Sequence, residues 1–189
     1  YDKTTKHTER IKNSVNGLTE ILNDFLSVDK LETQITPVKI QEFDYLQFSI
    51  DIVEEMTAIS KKGQDLERSL SAKNNLVLSD QGNIKNILYN LISNAIKYSP
   101  EHSSIHYKTT ITTTALKISI EDHGIGIPKE DHDQLFKRFF RAKNATNIKG
   151  TGLGLNIVLK YLEMLNGSMN FESEEDKGST FTITIPINC

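Results

Sequence analysis

The chain has 189 residues, 37% hydrophobic and 25% charged: enough for one globular domain with a packed core, and too apolar for a disordered chain. A net charge of −3 argues against a general nucleic-acid or acidic-membrane binder. No apolar run approaches the roughly 18 residues of a membrane span, no secretory signal pattern is seen, and the single cysteine, Cys189, excludes an intrachain disulfide and fits a reducing, cytoplasmic setting.

In chain order, the first expected element is a long helix over 9–31. Ile11, Val15, Leu18, Leu22 and Phe25 recur at alternating spacings of four and three, the seam of a coiled coil that needs a partner helix. A connector over 33–37 ends at Pro37. Helix is then expected over 45–61, short strands over 65–70 and 75–78, and a regular helix over 83–98 with Ile84, Ile87, Leu88, Leu91, Ile92 and Ala95 on one face. Alternating strands follow at 105–111 and 116–121. The remainder reads as a short helix near 131–138, an irregular stretch, a helix over 153–165, and strands over 168–173 and 180–187. Helices mixed with antiparallel hairpins predict a two-layer α/β sandwich. The expected organisation is an N-terminal helical segment over 1–33, a linker over 34–40 and a domain over 41–189.

Glycine is scarce but concentrated. There are ten in the chain, and five of them fall at Gly124, Gly126, Gly150, Gly152 and Gly154. Charge is uneven too: between Asp133 and Glu163 there is no acid, while Lys137, Arg138, Arg141, Lys143, Lys149 and Lys160 surround the second glycine window. Alone, such a run reads as a solvated face; its overlap with glycines points to a bound anion.

Three clusters carry chemistry. At about 100° per residue, Asn90, Asn94 and Lys97 fall beside the apolar stripe of their helix rather than opposite it. Polar groups at the border of a core need partners, and an Asn carbonyl is a neutral oxygen ligand suited to a Mg²⁺ already facing phosphates and water. The second cluster is Asp122-His123-Gly124-Ile125-Gly126-Ile127-Pro128, directly after a strand. A carboxylate there can accept from an exocyclic amine such as adenine N6, and would be repelled by guanine's acceptor. Glycine lets backbone approach a flat ring. The alternative is an Asx turn at Asp122, with His123 a solvent-facing turn residue. The third is Gly150-Thr151-Gly152-Leu153-Gly154-Leu155, preceding a helix, where backbone N–H groups favour phosphate. Its spacing is neither a Walker A loop nor a dinucleotide-binding fingerprint, and protein-kinase signatures are absent.

In this order the clusters resemble the ATP-binding domain of sensor histidine kinases, of the GHKL (Bergerat-fold) superfamily. Asn90 to Pro100 resembles the N box, Asp122 to Pro128 the G1 box, Leu135-Phe136-Lys137-Arg138-Phe139-Phe140-Arg141 the F box, Gly150 to Leu155 the G2 box, and Gly178-Ser179-Thr180-Phe181 the last strand's motif. The resemblance implies a mixed, mostly antiparallel sheet on three helices, binding ATP and Mg²⁺. By it, Asn94 would ligate Mg²⁺ with Asn90 beside it, Lys97 would contact phosphate, and Tyr98 would line the pocket. Asp122 would read adenine, with Gly124, Gly126 and Ile127 shaping the base site. Residues 141–149 would form a mobile lid with Phe140 and Arg141 at its root and Lys149 at its end. Gly150, Thr151, Gly152, Leu153, Gly154 and Leu155 would hold phosphates, and Thr180 would complete the site. Phe136 has core packing as its expected role, and Phe139 has core packing as an alternative to ligand contact.

The opening helix resembles the second helix of a dimerisation and phosphoacceptor bundle, which implies a homodimer and a response-regulator receiver domain as partners, with no nucleic acid. The implied setting is the cytoplasm, or the cytoplasmic part of a membrane-anchored sensor. The family's acceptor motif, His-Asp/Glu-x-Arg/Lys-x-Pro, is absent. His7 lies in Lys6-His7-Thr8-Glu9-Arg10-Ile11 without the proline, so the acceptor histidine is expected upstream and no catalytic residue is assigned in this chain. The competing readings are a nucleotide-gated clamp ATPase, whose water-activating glutamate is missing because Tyr89 precedes Asn90, and a degenerate, non-catalytic nucleotide-binding module.

Overall fold

The computed structural model describes residues 37–187 together with Thr8, Val15, Thr19, Leu22 and Leu26, which are helical and exposed. Val15 and Leu22 belong to the expected seam; the rest of the opening helix, the other seam residues and the dimer partner lie outside the described residues.

Element boundaries follow local chemistry. Strand β1 (Gln41–Asp44) runs straight into α1 (Tyr45–Thr57), because the Asp44 carboxylate caps the helix, accepting from Leu46 N at 2.8 Å and Gln47 N at 3.2 Å. Strands β2 (Asp65–Ala72) and β3 (Leu76–Ser79) precede α2 (Gln81–Tyr98). Asp80 caps α2 by accepting from Asn83 N at 2.9 Å, and its second oxygen accepts from Lys39 N at 2.8 Å. Strands β4 (Ser104–Ile111) and β5 (Ala115–Asp122), two short 3₁₀ turns (Lys129–Gln134 and Lys143–Ala145), α3 (Gly154–Met164), β6 (Ser168–Glu174) and β7 (Gly178–Pro186) complete the domain.

Five strands form a sheet in the order β2-β4-β5-β7-β6, with β2 and β4 parallel and every other pair antiparallel. Strands β1 and β3 form a separate antiparallel pair. Along the central strands, Ile105 and Tyr107, Leu116, Ile118 and Ile120, and Phe181, Ile183 and Ile185 point to one face and are buried. The three helices cover that face, giving the expected two-layer sandwich on a mixed sheet. Within it Tyr45 and Tyr107, both fully buried, join hydroxyls at 2.7 Å. Among the described residues no helix is long and apolar enough to cross a membrane.

Three expectations change. Gln41–Asp44 is a strand because it pairs with β3 across a long sequence gap, a partner local patterning does not reveal. The first helix stops at Thr57 rather than 61, closing in a turn where Ser60 N donates to Thr57 O and Gly63 takes φ +70. The helix expected near 131–138 is a 3₁₀ turn over Lys129–Gln134. Buried Asp131 anchors it by accepting from Lys143 N at 2.9 Å, and Phe139 at φ +62 breaks any continuation.

Candidate functional site

Helix α2 is pinned where its polar residues emerge. The Lys61 ammonium donates to Lys97 O at 2.7 Å and Ser99 O at 2.6 Å, and Gln64 Nε2 donates to Ile96 O at 3.0 Å and Pro100 O at 3.0 Å. Orphan carbonyls at the helix end are thereby satisfied, with a cation at its negative pole. Because the apolar stripe of α2 is buried, Asn90, Asn94, Lys97 and Tyr98 are turned into a cavity of about 580 Å³. The Asn90 amide donates to Asn86 O at 2.9 Å, which orients the side chain and presents its Oδ1 as an acceptor. Lys97 Nζ stands 5.3 Å from the Tyr98 ring centroid.

Strand β5 delivers Asp122 to the same cavity. The carboxyl is 7% exposed, and burial pushes it up to about 6, although hydrogen bonds from the Gly124 and Ser179 amides pull the other way. Asp122 is therefore both the Asx turn, accepting from Gly124 N at 2.8 Å, and a cavity-lining acceptor that is ionised at neutral pH. Gly126 and Ile127 also line the cavity; Gly124 does not. The physical need for these glycines differs from the expected clearance for a ring. A Cβ on Gly124 would stand 2.6 Å from Tyr98 O, and one on Gly126, at φ +58, would stand 1.9 Å from Glu174 O. They clear room for the end of α2 and for the β6–β7 hairpin.

The loop over 137–153 closes the cavity from the third side. Arg141 Nη2 donates to Ala145 O at 2.5 Å and also to Ile148 O, gathering the loop's carbonyls. Asn144 Nδ2 donates to Ile125 O at 3.2 Å and Gly126 O at 3.1 Å, fastening the loop to the turn after β5. Phe140, Arg141, Thr151, Gly152, Gly154 and Leu155 line the cavity. Helix α3 starts there without a side-chain cap, which leaves its first amides for another acceptor. A Cβ on Gly154 would lie 3.1 Å from Asn90 Oδ1, so the first turn of α3 meets the polar face of α2.

Other expected residues fall elsewhere. Leu153 is buried against Ile157 and packs rather than binds. Lys149 lies in an adjoining recess with Gly124, Lys97 and Tyr98, and Gly150 sits against Lys97, where a Cβ would meet Nζ at 2.3 Å. Thr180 is on the opposite face of the sheet; its neighbours Ser179 and Phe181 line the cavity. Phe136 packs edge-on to Phe171 at 5.7 Å, whereas Phe139 is 65% exposed and neither packs in the core nor lines the cavity. The basic stretch disperses: Lys143 pairs with Glu130, Lys160 with Glu163, and Arg141 alone of the stretch lines the cavity among the described residues. Ser179 and Asn144 were missed from sequence. An offset of one residue along the Gly-Ser-Thr-Phe strand would have found the first; nothing local marks the second.

A family profile described as histidine kinase-, DNA gyrase B-, and HSP90-like ATPase matches residues 79–188. The chain is 32% identical to the sensor histidine kinase WalK of Bacillus subtilis (strain 168) over 179 residues, covering 93% of this chain and 29% of that protein. Full-length ShkA in complex with AMPPNP superposes with a TM-score of 0.82 at 22% identity, over 98% of this chain and 39% of that one, which is a likeness of fold. The Acinetobacter baumannii histidine kinase AdeS gives 0.73 at 26% identity, over 96% of this chain and 84% of that one. The chain spans under a third of the length of the curated relatives it matches.

Proposed function

Because the chain belongs to the histidine kinase-, DNA gyrase B- and HSP90-like ATPase family, we propose that it is the Mg-ATP-binding catalytic domain of a sensor protein-histidine kinase. The carrying observation is one cavity into which α2 turns Asn90, Asn94 and Lys97, β5 turns Asp122, and the uncapped start of α3 turns Gly154 and Leu155.

The residues present fit such a ligand. The volume is that of a small-molecule site, and its lining combines a buried carboxylate with two Asn side chains, a lysine and the uncapped first turn of α3. Bound ATP supplies the γ-phosphoryl group, and Mg²⁺ the neutralisation of its charge. Asp122 accepts from the adenine amine, and Ile127 and Phe181 wall the base from water. Asn94 holds the metal through its amide oxygen, Asn90 stands beside it, and Lys97, Thr151 and the first amides of α3 face the phosphates. These residues position and neutralise charge rather than form covalent bonds. The nucleophile is an imidazole that this chain does not supply, since none of its five histidines lies in a His-Asp/Glu-x-Arg/Lys-x-Pro motif. Relay to a response-regulator aspartate, dimerisation through the N-terminal helix and a cytoplasmic location complete the proposal. It is supported by the names of the relatives and by the lack of a carboxylate just before Asn90.

Calorimetric titration of Mg-ATP into the chain tests this, together with incubation with γ-labelled ATP. The expected result is saturable binding with one nucleotide per chain and no label retained on protein. Absence of binding, retained label or sustained phosphate release would each overturn it, the last in favour of a clamp-type ATPase.

A further inference from the structure

The sheet face opposite the helices carries side chains that the nucleotide cavity does not use. Strand register sets Glu67 of β2 beside His106 of β4, and His106 beside Glu121 of β5, so the three stand in one row on that face. His123 leaves the end of β5 and returns to the same place. Its ring meets that of His106 edge to face, with centroids 5.6 Å apart. One ring nitrogen from each imidazole and one carboxylate oxygen of Glu121 lie within 4.8 Å of one another. Ligand atoms around a four-coordinate Zn²⁺ stand about 3.3 Å apart, so small side-chain rotations close the difference.

The surroundings of the two rings point the same way. His106 Nδ1 lies 3.2 Å from Glu67 Oε2, and His123 Nδ1 lies 3.2 Å from the Ser104 carbonyl. With Nδ1–H donated in each case, the lone pair of each neutral ring rests on Nε2. A carboxylate behind one imidazole and a backbone carbonyl behind the other are the partners that orient metal-ligating histidines. Lys108 holds Glu121 Oε2 at 2.6 Å, which orients that carboxylate while its second oxygen remains to give.

We propose that His106, Glu121 and His123 form a divalent transition-metal site whose best-suited ion is Zn²⁺. Two imidazoles and a carboxylate match a borderline cation and discriminate against Mg²⁺ and Ca²⁺, and the solvent-facing position leaves a fourth place for water. The site is distinct from the nucleotide cavity, which none of the three residues lines. Asp122, between Glu121 and His123, faces the cavity from the other side of the strand. Metal and nucleotide would thus occupy opposite faces of one strand end.

The test is Zn²⁺ titrated by calorimetry into the metal-free chain in a non-coordinating buffer. The expected result is one equivalent bound, with His106→Gln, Glu121→Gln and His123→Gln each weakening binding by about tenfold or more and His102→Gln, at an exposed site elsewhere, leaving it unchanged. Thermal unfolding of each variant without metal checks that the fold is retained; His123 is exposed, so its variant keeps the test decisive if His106→Gln fails to fold. Failure to bind Zn²⁺, binding that survives His123→Gln, or binding lost in His102→Gln would overturn the assignment. Mg-ATP binding by His106→Gln, outside the nucleotide cavity, is expected to be normal whether or not Zn²⁺ binds.

Discussion

Asp122 Oδ1 accepts the Gly124 amide proton at 2.8 Å, so the acid that lines the cavity is aimed by the turn that follows it. An Asn at 122 would keep that bond and lose the charge. A charge-assisted hydrogen bond contributes about 1.5–3 kcal/mol, so Asp122→Asn should weaken Mg-ATP binding by roughly tenfold to a hundredfold without unfolding the domain. Calorimetry on a variant with an unchanged melting profile measures it; unaltered affinity would refute adenine recognition by this residue.

The two glycine windows should respond differently to alanine. Gly126 combines φ +58 with a Cβ position 1.9 Å from Glu174 O, so Gly126→Ala should cost about 3 kcal/mol or more in folding stability. Gly154 opens α3 with no left-handed φ, and its Cβ would meet only side-chain ends, Asn90 Oδ1 at 3.1 Å and Asn94 Nδ2 at 3.7 Å. Gly154→Ala should keep near-native stability and lose nucleotide affinity. Denaturant unfolding beside calorimetry separates the two effects.

Asn144 is the fastener of the loop over the cavity. Asn144→Ala removes both bonds to the Ile125 and Gly126 carbonyls. At about 1 kcal/mol for each of these half-buried bonds, local opening should rise roughly tenfold or more. Limited trypsinolysis read by mass spectrometry should then show faster cleavage after Lys143 and Lys149, with cleavage elsewhere unchanged.

The buried tyrosine pair predicts an alkaline limit to stability. Burial pushes the Tyr107 hydroxyl up to about 12, and raises Tyr45 well above its ordinary value of 10.0. The folded state holds both neutral while the unfolded chain ionises them near pH 10. Their contribution is therefore whole below pH 10 and is lost as pH rises above it, the Tyr107 share through about 12, by up to about 1.4 kcal/mol per pH unit for each proton. Denaturant unfolding across this range should fall less steeply for the double variant Tyr45→Phe, Tyr107→Phe.

Much of this molecule is written locally. The stripe Ile84, Ile87, Leu88, Leu91, Ile92 and Ala95 sets both the helix and which of its polar residues border the core, because helical geometry ties spacing to direction. Asp122 at a strand end and the glycines before α3 are likewise local patterns. The seam of the opening helix is equally plain in the sequence, though only Val15 and Leu22 of it are among the described residues.

What the amino-acid order determined by itself is most of the sequence of elements, β1 and the 3₁₀ turn at Lys129–Gln134 excepted, and the chemistry carried by each. What only the tertiary structure decided is which of those groups meet. Thr180 and Ser179 exchange roles because a strand turns successive side chains to opposite faces, and a shift of one residue reverses which is inside. Gly126 is required by the backbone of Glu174, and β1 by its pairing with β3, contacts between segments far apart in sequence. Arg141 and Asn144 fasten a loop that reads, residue by residue, as basic surface. Local spacing encodes direction along one element; the distance between two elements exists only once the chain has packed.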